Sequence, residues 1–151
     1  MISKMGINYN AEDLRDHDAI AVVIRDTFGH VLMQEHVKYG FWTIPIGKAK
    51  PGQAPDACAR AEIMEECGLD IQKLELLVKR DYEYVRAGIP VKVCLYLYEA
   101  TSYFGKPRNL EPHKHTRQEF IALDEIKRLP FLSDGTLLYL EAIGFSRPGR
   151  L

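Results

Sequence analysis

The sequence predicts an α/β fold in which strands and helices pack as a sandwich, and two observations support this class. Apolar, β-branched runs of strand length lie on both sides of a central helical segment, and a second helical segment lies near the C-terminus. Strands and helices do not alternate regularly, which argues against a doubly wound sheet. The chain has 151 residues, 46% of them hydrophobic, and this size suits one domain with a substantial core.

The N-terminal part predicts an arm followed by two strands. Residues 1–16 are polar and mixed in composition, which indicates an arm or a partial strand. Residues 19–25 form a short, β-branched apolar run, and residues 31–35 form a second apolar run. Because a turn containing Gly29 separates them, the two runs predict a β-hairpin.

Two helices are predicted. The first covers Pro55–Cys67, because a proline suits the first helical turn and Gly68 suits the left-handed conformation that ends a helix. The second is capped by Ser133 or Asp134 and runs through Ile143. The expected buried face of the first helix is Ala57, Met64 and Cys67.

Between the helices, the sequence predicts two strands, a loop and a further strand. Residues 74–86 and 91–100 have strand character, with apolar and polar residues alternating in the second run. Residues 87–90 form the turn between them. Residues 101–117 predict a loop long enough to act as a lid or to contact substrate. A last strand is predicted at residues 120–123.

The composition limits the partners and the compartment. The formal net charge is −1, so the chain lacks the basic surface of a non-specific nucleic-acid binder, and an RNA 5′ end is the only nucleic-acid partner we retain. The three cysteines are odd in number and show no zinc spacing, which indicates reduced thiols. No signal peptide or membrane-spanning run is evident, so we expect a cytoplasmic protein without a membrane partner.

Three glutamates, Glu62, Glu65 and Glu66, are the strongest chemical signal in the chain. On a helix, residues at i, i+3 and i+4 share one face, so these carboxylates repel one another unless a cation lies among them. Glutamate oxygens suit Mg²⁺ or Mn²⁺, and Mg²⁺ leaves positions for water and substrate phosphate. The pattern indicates metal-dependent phosphate chemistry, although for such a triplet alone a solvated acidic face is more frequent.

The residues around the glutamates resemble a known signature. From Gly47 to Leu69, the chain is in register with the Nudix hydrolase signature, G-x5-E-x7-R-E-U-x-E-E-x-G-U, in which U is aliphatic. The matching residues are Gly47, Glu62, Ile63, Glu65, Glu66, Gly68 and Leu69. Gln53 and Ala61 replace a Glu and an Arg that the family uses to brace the loop against the helix. Arg60 lies one position early, roughly 100° around the helix.

This resemblance implies an α/β/α sandwich with a mixed sheet, in which the metal-binding helix follows a loop. It also implies a hydrolase of phosphoanhydrides with Mg²⁺ or Mn²⁺ as cofactor. The implied metal site comprises Glu62, Glu65, Glu66 and a backbone carbonyl at Gly47. The implied catalytic residues are Glu65, Glu66 and, in a late strand, Glu119. On position alone, Glu119 is equally compatible with an exposed strand residue, with Gln118 pointing inward.

Four residues are candidates for binding the substrate: Lys48, Lys50, Tyr84 and Phe104. Lysine ammonium groups contact phosphates as point charges, although loop lysines are more often solvated. Aromatic rings stack on bases, although packing is their commoner role. His113, Lys114 and His115 form a polar cluster without a third metal ligand, and we interpret them as surface loop.

The resemblance implies a small-molecule substrate, a nucleoside diphosphate linked to another group. Tyr84 lies close to a position that marks the dinucleoside polyphosphate subgroup, and we expect broad specificity for diadenosine polyphosphates, ADP-ribose and FAD-like dinucleotides. The first alternative is a pyrophosphohydrolase of nucleoside triphosphates or of RNA 5′ ends. A catalytically weak nucleotide-binding sensor is an alternative of another class, which Gln53 and Ala61 favour and the retained glutamates oppose. A homodimer is also compatible with the sequence.

Overall fold

The computed structural model describes residues 7–145, and the first six residues of the predicted arm lie outside this range. The strands are β1 (His17–Val23), β2 (Val31–His36), β3 (Trp42–Thr43), β4 (Ile46–Lys48), β5 (Asp70–Arg86), β6 (Ile89–Phe104) and β7 (His115–Ile121). The helices are α1 (Pro55–Cys67), α2 (Leu123–Ile126) and α3 (Asp134–Ala142). Within residues 7–145, no helix combines the length and the apolar character that a membrane crossing requires.

The strands form two sheets. The larger sheet has the order β4-β1-β6-β5, and the smaller sheet has the order β3-β2-β7. β1 runs parallel to β6 and antiparallel to β4, so the larger sheet is mixed. In the smaller sheet, β2 is antiparallel to both of its neighbours. The expected mixed sheet is therefore confirmed.

β1 lies at the centre of the core because both of its faces are covered. Ile20 belongs to a buried cluster that includes Ile63 of α1. Its neighbour Ala21 belongs to a second cluster, which includes Leu138 of α3 and Met33 of β2. A strand covered on both faces is apolar throughout rather than alternating. Helix α1 thus packs on one side of the larger sheet and α3 on the other, as expected for an α/β/α sandwich, while β2 contributes to both clusters through Leu32 and Met33.

The predicted hairpin between the first two strands was wrong beyond its turn. The turn itself is closed, because Asp26 donates its backbone N–H to the carbonyl of His30 at 3.0 Å and Leu32 donates to Ile24 at 2.8 Å. Beyond this point β1 and β2 enter different sheets. The physical reason is that both edges of β1 are occupied by β4 and β6, which leaves no edge for β2.

The long antiparallel pair of β5 and β6 extends further than predicted. Ala87 and Gly88 form its tight turn, with φ angles of 51° and 77°, so the turn lies within the predicted segment. Pairing with β5 carries β6 through residues 101–104, which the sequence had assigned to the loop. Because β7 also begins earlier than predicted, the connecting loop is residues 105–114 instead of 101–117.

The bounds of α1 are confirmed, but its buried face differs from the prediction. Gly68 has φ 70° and donates its N–H to the carbonyl of Met64 at 3.0 Å, which ends the helix as expected. Ala57 and Met64, which we expected to be buried, are exposed. The buried residues are Cys58, Ala59, Ile63, Glu66 and Cys67. The helix is therefore rotated so that a glutamate points inward, which hydrophobicity alone does not predict.

Helix α3 begins with the predicted cap. The Oγ of Ser133 accepts a hydrogen bond from the backbone N–H of Thr136 at 3.1 Å. The helix ends at Ala142, one residue before the predicted end. The cap fixes the position of Asp134 at the start of the helix.

Candidate active site

A cleft of about 1060 Å³ lies beside α1. It is lined by parts of residues 10–17, 36–41 and 46–51, by α1, by β5 and by the start of α3. The candidate site residues that line it are Gly47, Lys48, Lys50, Glu62, Glu66 and Tyr84. Those that do not belong to its lining are Glu65, Phe104 and Glu119. The structure thus brings together most, but not all, of the residues selected from the sequence.

Glu66 is the most unusual side chain of the cleft. Only 3% of its surface is exposed, and its Oε2 has no hydrogen-bond partner. Burial, together with the charges of Glu62 and Glu111, raises the pKa of Glu66 to about 8. A buried carboxyl group without a partner is unfavourable in its ionised form, so this position favours binding of a cation.

Glu62 packs against the backbone of Gly47. A methyl group on Gly47 would lie 3.0 Å from Oε2 of Glu62 and 3.1 Å from its Cδ, which is closer than side chains normally approach. Gly47 is held in the sheet opposite Ile20 of β1. Burial raises the pKa of Glu62, and the charge of Glu65 raises it in the same direction. The absence of a side chain at Gly47 therefore makes room for this carboxylate next to the loop carbonyls.

Glu65 does not share this environment, so the three glutamates are divided. Glu62 and Glu66 face the cleft, whereas Glu65 is exposed. Among residues 7–145, no group of three or more His, Cys, Asp or Glu side chains is arranged to hold a metal ion. The residues present nevertheless fit Mg²⁺ or Mn²⁺, because Mg²⁺ uses one or two protein carboxylates and completes its shell with water and phosphate. The unpartnered Oε2 of Glu66 supports this fit.

The loop of residues 105–114 adds two charged groups that the sequence analysis missed as site residues. Arg108 donates its backbone N–H to the carbonyl of Cys67 at 2.9 Å, and Leu110 donates to that of Glu66 at 3.0 Å, so the loop covers the end of α1. Glu111 and Lys114 pair at 3.3 Å, and the charges of both act on the pKa of Glu66. Only the length of the predicted loop hinted at this role.

The interpretation of residues 113–115 as surface loop was wrong for His115. His115 is buried at the start of β7, and its ring lies 5.4 Å from that of His36. Burial lowers the pKa of His115. His113 and Lys114 are exposed but line the cleft. Pairing of β7 with β2 draws His115 inward, which the local polar sequence does not reveal.

The two candidate lysines differ in their partners. The Nζ of Lys48 donates to Oδ1 of Asp13 at 2.6 Å and lies 3.3 Å from Oδ1 of Asn10. Lys50 is exposed, and its charge lowers the pKa of Glu62. Lys50 is therefore the lysine whose side chain is directly available to a ligand near the glutamates.

Tyr84 lies in the cleft, whereas Phe104 does not. The hydroxyl of Tyr84 donates to Oδ2 of Asp134 at 2.6 Å, and its ring stacks on Tyr82 with centroids 5.9 Å apart. The guanidinium of Arg86 lies 4.9 Å from the centre of the Tyr84 ring. Phe104 is 66% exposed at the far end of β6, opposite Asp70, and does not belong to the lining of this cleft.

Glu119 lies outside the cleft on β7. Its carboxylate pairs with Arg117 at 3.1 Å on the exposed surface of the strand. The adjacent Gln118 turns inward and accepts a hydrogen bond from the side chain of Gln34 at 2.9 Å. Of the two orientations considered from the sequence, the structure has the one with Gln118 inside, and alternation along the strand then places Glu119 outside.

The stability of the metal-free protein is expected to fall as the pH rises. The pKa of Glu66 is about 8 in the folded chain and 4.5 ordinarily, so the folded state retains a proton that the unfolded chain has released. The resulting stabilisation is complete below the ordinary pKa, declines as the pH rises above it and is fully lost once the pH exceeds the folded-state pKa of about 8. Urea unfolding in chelator should show a loss of about 2 kcal/mol between pH 6.5 and 8.5. Glu66→Gln should remove most of this loss, and parallel profiles for the two proteins would contradict the assignment.

Comparison with known proteins agrees with this geometry. A family model described as the NUDIX domain matches residues 15–138. The mRNA-decapping enzyme subunit 2 of Arabidopsis thaliana is 34% identical over 65 residues, which are 43% of this chain and only 16% of that protein. A MutT NUDIX hydrolase from Burkholderia pseudomallei is 26% identical with a TM-score of 0.70, over 85% of this chain and 98% of that chain. A C. elegans Ap4A hydrolase is 19% identical with a TM-score of 0.62, over 85% and 95% of the two chains.

The fold is shared with a solved MutT NUDIX hydrolase. The family match covers most of the chain and includes both cleft-facing glutamates. This chain belongs to the Nudix hydrolase family.

Proposed function

We propose that this protein is a metal-dependent hydrolase that cleaves the pyrophosphate linkage of a nucleoside diphosphate joined to a second group. The observation that carries the proposal is the pair Glu62 and Glu66, two carboxyl groups at a glycine-lined position of a large cleft, one of them with an unpartnered buried oxygen. Glu62, Glu66 and the carbonyl of Gly47 would hold Mg²⁺ or Mn²⁺. Such an ion neutralises phosphate charge and lowers the pKa of a bound water.

Other residues in or near the cleft have roles that follow from their positions. Lys50 is exposed near Glu62 and binds a substrate phosphate as a point charge. Glu111 lies close enough to influence the pKa of both Glu62 and Glu66 and is our candidate to accept a proton from the attacking water. Glu65 contributes negative charge beside Glu62 from the exposed side of the helix. We no longer assign a role to Glu119.

The substrate we favour is a dinucleotide. The hydroxyl of Tyr84 is held by Asp134 and its ring is flanked by Tyr82 and by the guanidinium of Arg86, which gives a fixed aromatic wall beside which a base would lie. The volume of about 1060 Å³ lies at the upper end of ordinary ligand pockets, so the cleft has room for more than a mononucleotide. The similarity to an Ap4A hydrolase points to the same class of substrate. Diadenosine polyphosphates, ADP-ribose and FAD-like dinucleotides are therefore our candidates.

The second candidate is a pyrophosphohydrolase acting on RNA 5′ ends or on nucleoside triphosphates. The 65-residue similarity to an mRNA-decapping enzyme subunit favours it. The net charge of −1 opposes binding of a long RNA, because an RNA body would need a basic path along its phosphates. An RNA substrate would therefore engage the protein through its 5′ end alone.

A substrate panel tests the proposal. The full chain is incubated with Mg²⁺ or Mn²⁺ and diadenosine tetraphosphate, ADP-ribose, FAD, ATP or capped RNA, and the released mononucleotide is quantified. We expect kcat/KM for the best dinucleotide to exceed that for ATP at least about tenfold, since only the dinucleotide fills both ends of the cleft. The reverse order would favour the second candidate.

The same panel separates an enzyme from a sensor. Tight nucleotide binding without metal-dependent product would identify a binding module, whereas product that disappears with chelator supports the enzyme. The sensor is the less favoured reading, because a binding module has no need for a buried, mutually repelling carboxyl pair. A cytoplasmic location and a homodimer stay predictions.

A further inference from the structure

Three cationic side chains from different parts of the cleft converge on the turn at residues 10–13. Lys38 follows β2, Lys48 ends β4 and Arg86 ends β5. The Nζ of Lys38 donates to Oδ2 of Asp13 at 2.7 Å, and the Nζ of Lys48 donates to Oδ1 at 2.6 Å. Arg86 donates to the backbone carbonyl of Asp13 at 2.8 Å. Each oxygen of one carboxylate therefore binds a separate ammonium group.

The turn presents this carboxylate in a defined orientation. Asn10 donates its backbone N–H to Oδ2 of Asp13 at 2.9 Å, and Asp13 donates its own N–H to Oδ1 of Asn10 at 2.9 Å. The Asp13 side chain is 2% exposed, whereas Lys38 and Lys48 are 29% and 34% exposed. The ammonium groups thus lie at the boundary between the enclosed carboxylate and solvent, where another anion can reach them.

These lysines are close to the residues that face the proposed metal. Lys48 directly follows Gly47, whose backbone packs against Glu62. Lys38, Lys48 and Asp13 line the same cleft as Glu62. An ammonium group donates hydrogen bonds equally well to a carboxylate oxygen and to a phosphate oxygen. The Asp13 carboxylate therefore stands where a phosphate of an extended substrate would bind.

We propose that Lys38 and Lys48 form an anion subsite for the phosphate chain of the substrate, and that Asp13 occupies this subsite until a polyphosphate displaces it. The inference rests on the proposed function, since the subsite and the glutamate pair would serve the same substrate. A polyphosphate carries several charges along its length and competes for both lysines at once. The turn at residues 10–13 then acts as an internal competitor that weakens binding of the substrate.

A change of pH does not open the subsite. Burial alone would raise the pKa of the Asp13 carboxyl, but the hydrogen bonds from Lys38 and Lys48 outweigh it and hold the pKa well below its ordinary value. Asp13 is therefore ionised wherever the protein is folded at moderate pH. Displacement requires a competing anion.

Calorimetric titration of the full chain with inorganic tripolyphosphate, without metal and at fixed ionic strength, tests this subsite. Asp13→Asn keeps the shape of the side chain and removes its charge. Glu125→Gln removes an equal charge from an exposed residue of α2 outside the cleft and is the matched control. If Asp13 blocks the subsite nine-tenths of the time, Asp13→Asn binds about tenfold more tightly than wild type, and Glu125→Gln stays within about twofold. Equal or weaker binding by folded Asp13→Asn would overturn the inference.

Hydrogen exchange of the wild-type chain gives a second test that needs no variant. Displacement of Asp13 breaks the paired hydrogen bonds between Asn10 and Asp13, so tripolyphosphate should speed exchange of both backbone amides. Unchanged or slower exchange at saturation would overturn the subsite. Neither test uses metal or hydrolysis. A protein that passes both but hydrolyses no nucleotide contradicts only the proposed function, and an active enzyme that fails both contradicts only this subsite.

Discussion

Replacement of Glu66 by glutamine is expected to lower kcat about a thousandfold while leaving the fold intact. The substitution keeps the size of the side chain and removes a buried cleft carboxylate whose Oε2 has no hydrogen-bond partner. Loss of this charge weakens the hold on the cation and with it the stabilisation of the developing phosphate charge. The rate is measured with Mg²⁺ and Mn²⁺ on the best substrate of the panel, and urea unfolding confirms the fold.

Two further variants serve as controls for Glu66→Gln. Glu125→Gln removes the same charge from an exposed position on α2 and should leave kcat unchanged. Glu119→Gln should lower kcat less than about threefold, because Glu119 pairs with Arg117 outside the cleft. If Glu66→Gln retained more than a tenth of the wild-type rate, Glu66 would not be the residue on which metal binding depends.

Replacement of Gly47 by alanine is expected to lower kcat/KM about a hundredfold with little loss of stability. The new methyl group would meet Oε2 of Glu62 at 3.0 Å, so the carboxylate must move. The displaced atoms belong to the end of a flexible side chain, so the cost to the fold is small. A shift of about 1 Å in a positioning group is sufficient for such a loss of rate. Steady-state kinetics and the urea midpoint measure the two effects separately.

A double variant shows whether Gly47 acts through the glutamates. If the methyl group works by moving Glu62, Gly47→Ala should add little to the loss already caused by Glu66→Gln, because both changes affect one metal site. Fully multiplicative losses would show that Gly47 acts elsewhere, and a large fall in the urea midpoint would show that it acts on folding.

Local signals made α1 and its loop predictable from the sequence. Pro55 and Gly68 mark the ends of the helix, and both act through backbone geometry that needs no distant partner. The spacing from Gly47 to Leu69 then identified the glutamates of the helix, although it did not separate Glu65 from the two that face the cleft. The Ala87-Gly88 turn was predictable for the same reason.

The division of the strands between two sheets was not predictable in this way. β1 pairs in parallel with β6, whose partner residues begin at Val93, some seventy positions later in the chain. Only that distant pairing decides that β2 joins the smaller sheet. The apolar run of β1, which does not alternate, was the one local indication that both of its faces are covered.

Helix α1 departs from the pattern in which apolar residues are buried and charged residues are exposed. Met64 is exposed and Glu66 is buried, although the two lie within one turn of the same helix. Sites that bind charged ligands commonly depart from the pattern that predicts the rest of a fold. Glu111 and Asp13 were missed for another reason, since contacts with distant elements place their segments: Leu110 bonds the carbonyl of Glu66, and Arg86 bonds that of Asp13.

Calorimetric titration with Mn²⁺ tests most directly whether Glu62 and Glu66 hold a divalent ion. Wild type and the double variant Glu62→Gln/Glu66→Gln are titrated in the presence of a non-hydrolysable dinucleotide, with Glu125→Gln as the charge control. We expect saturable binding by wild type and by the control, and an affinity at least about tenfold weaker in the folded double variant. Equal affinities in all three proteins, or no uptake of Mn²⁺ by wild type, would contradict the metal site at this pair of glutamates.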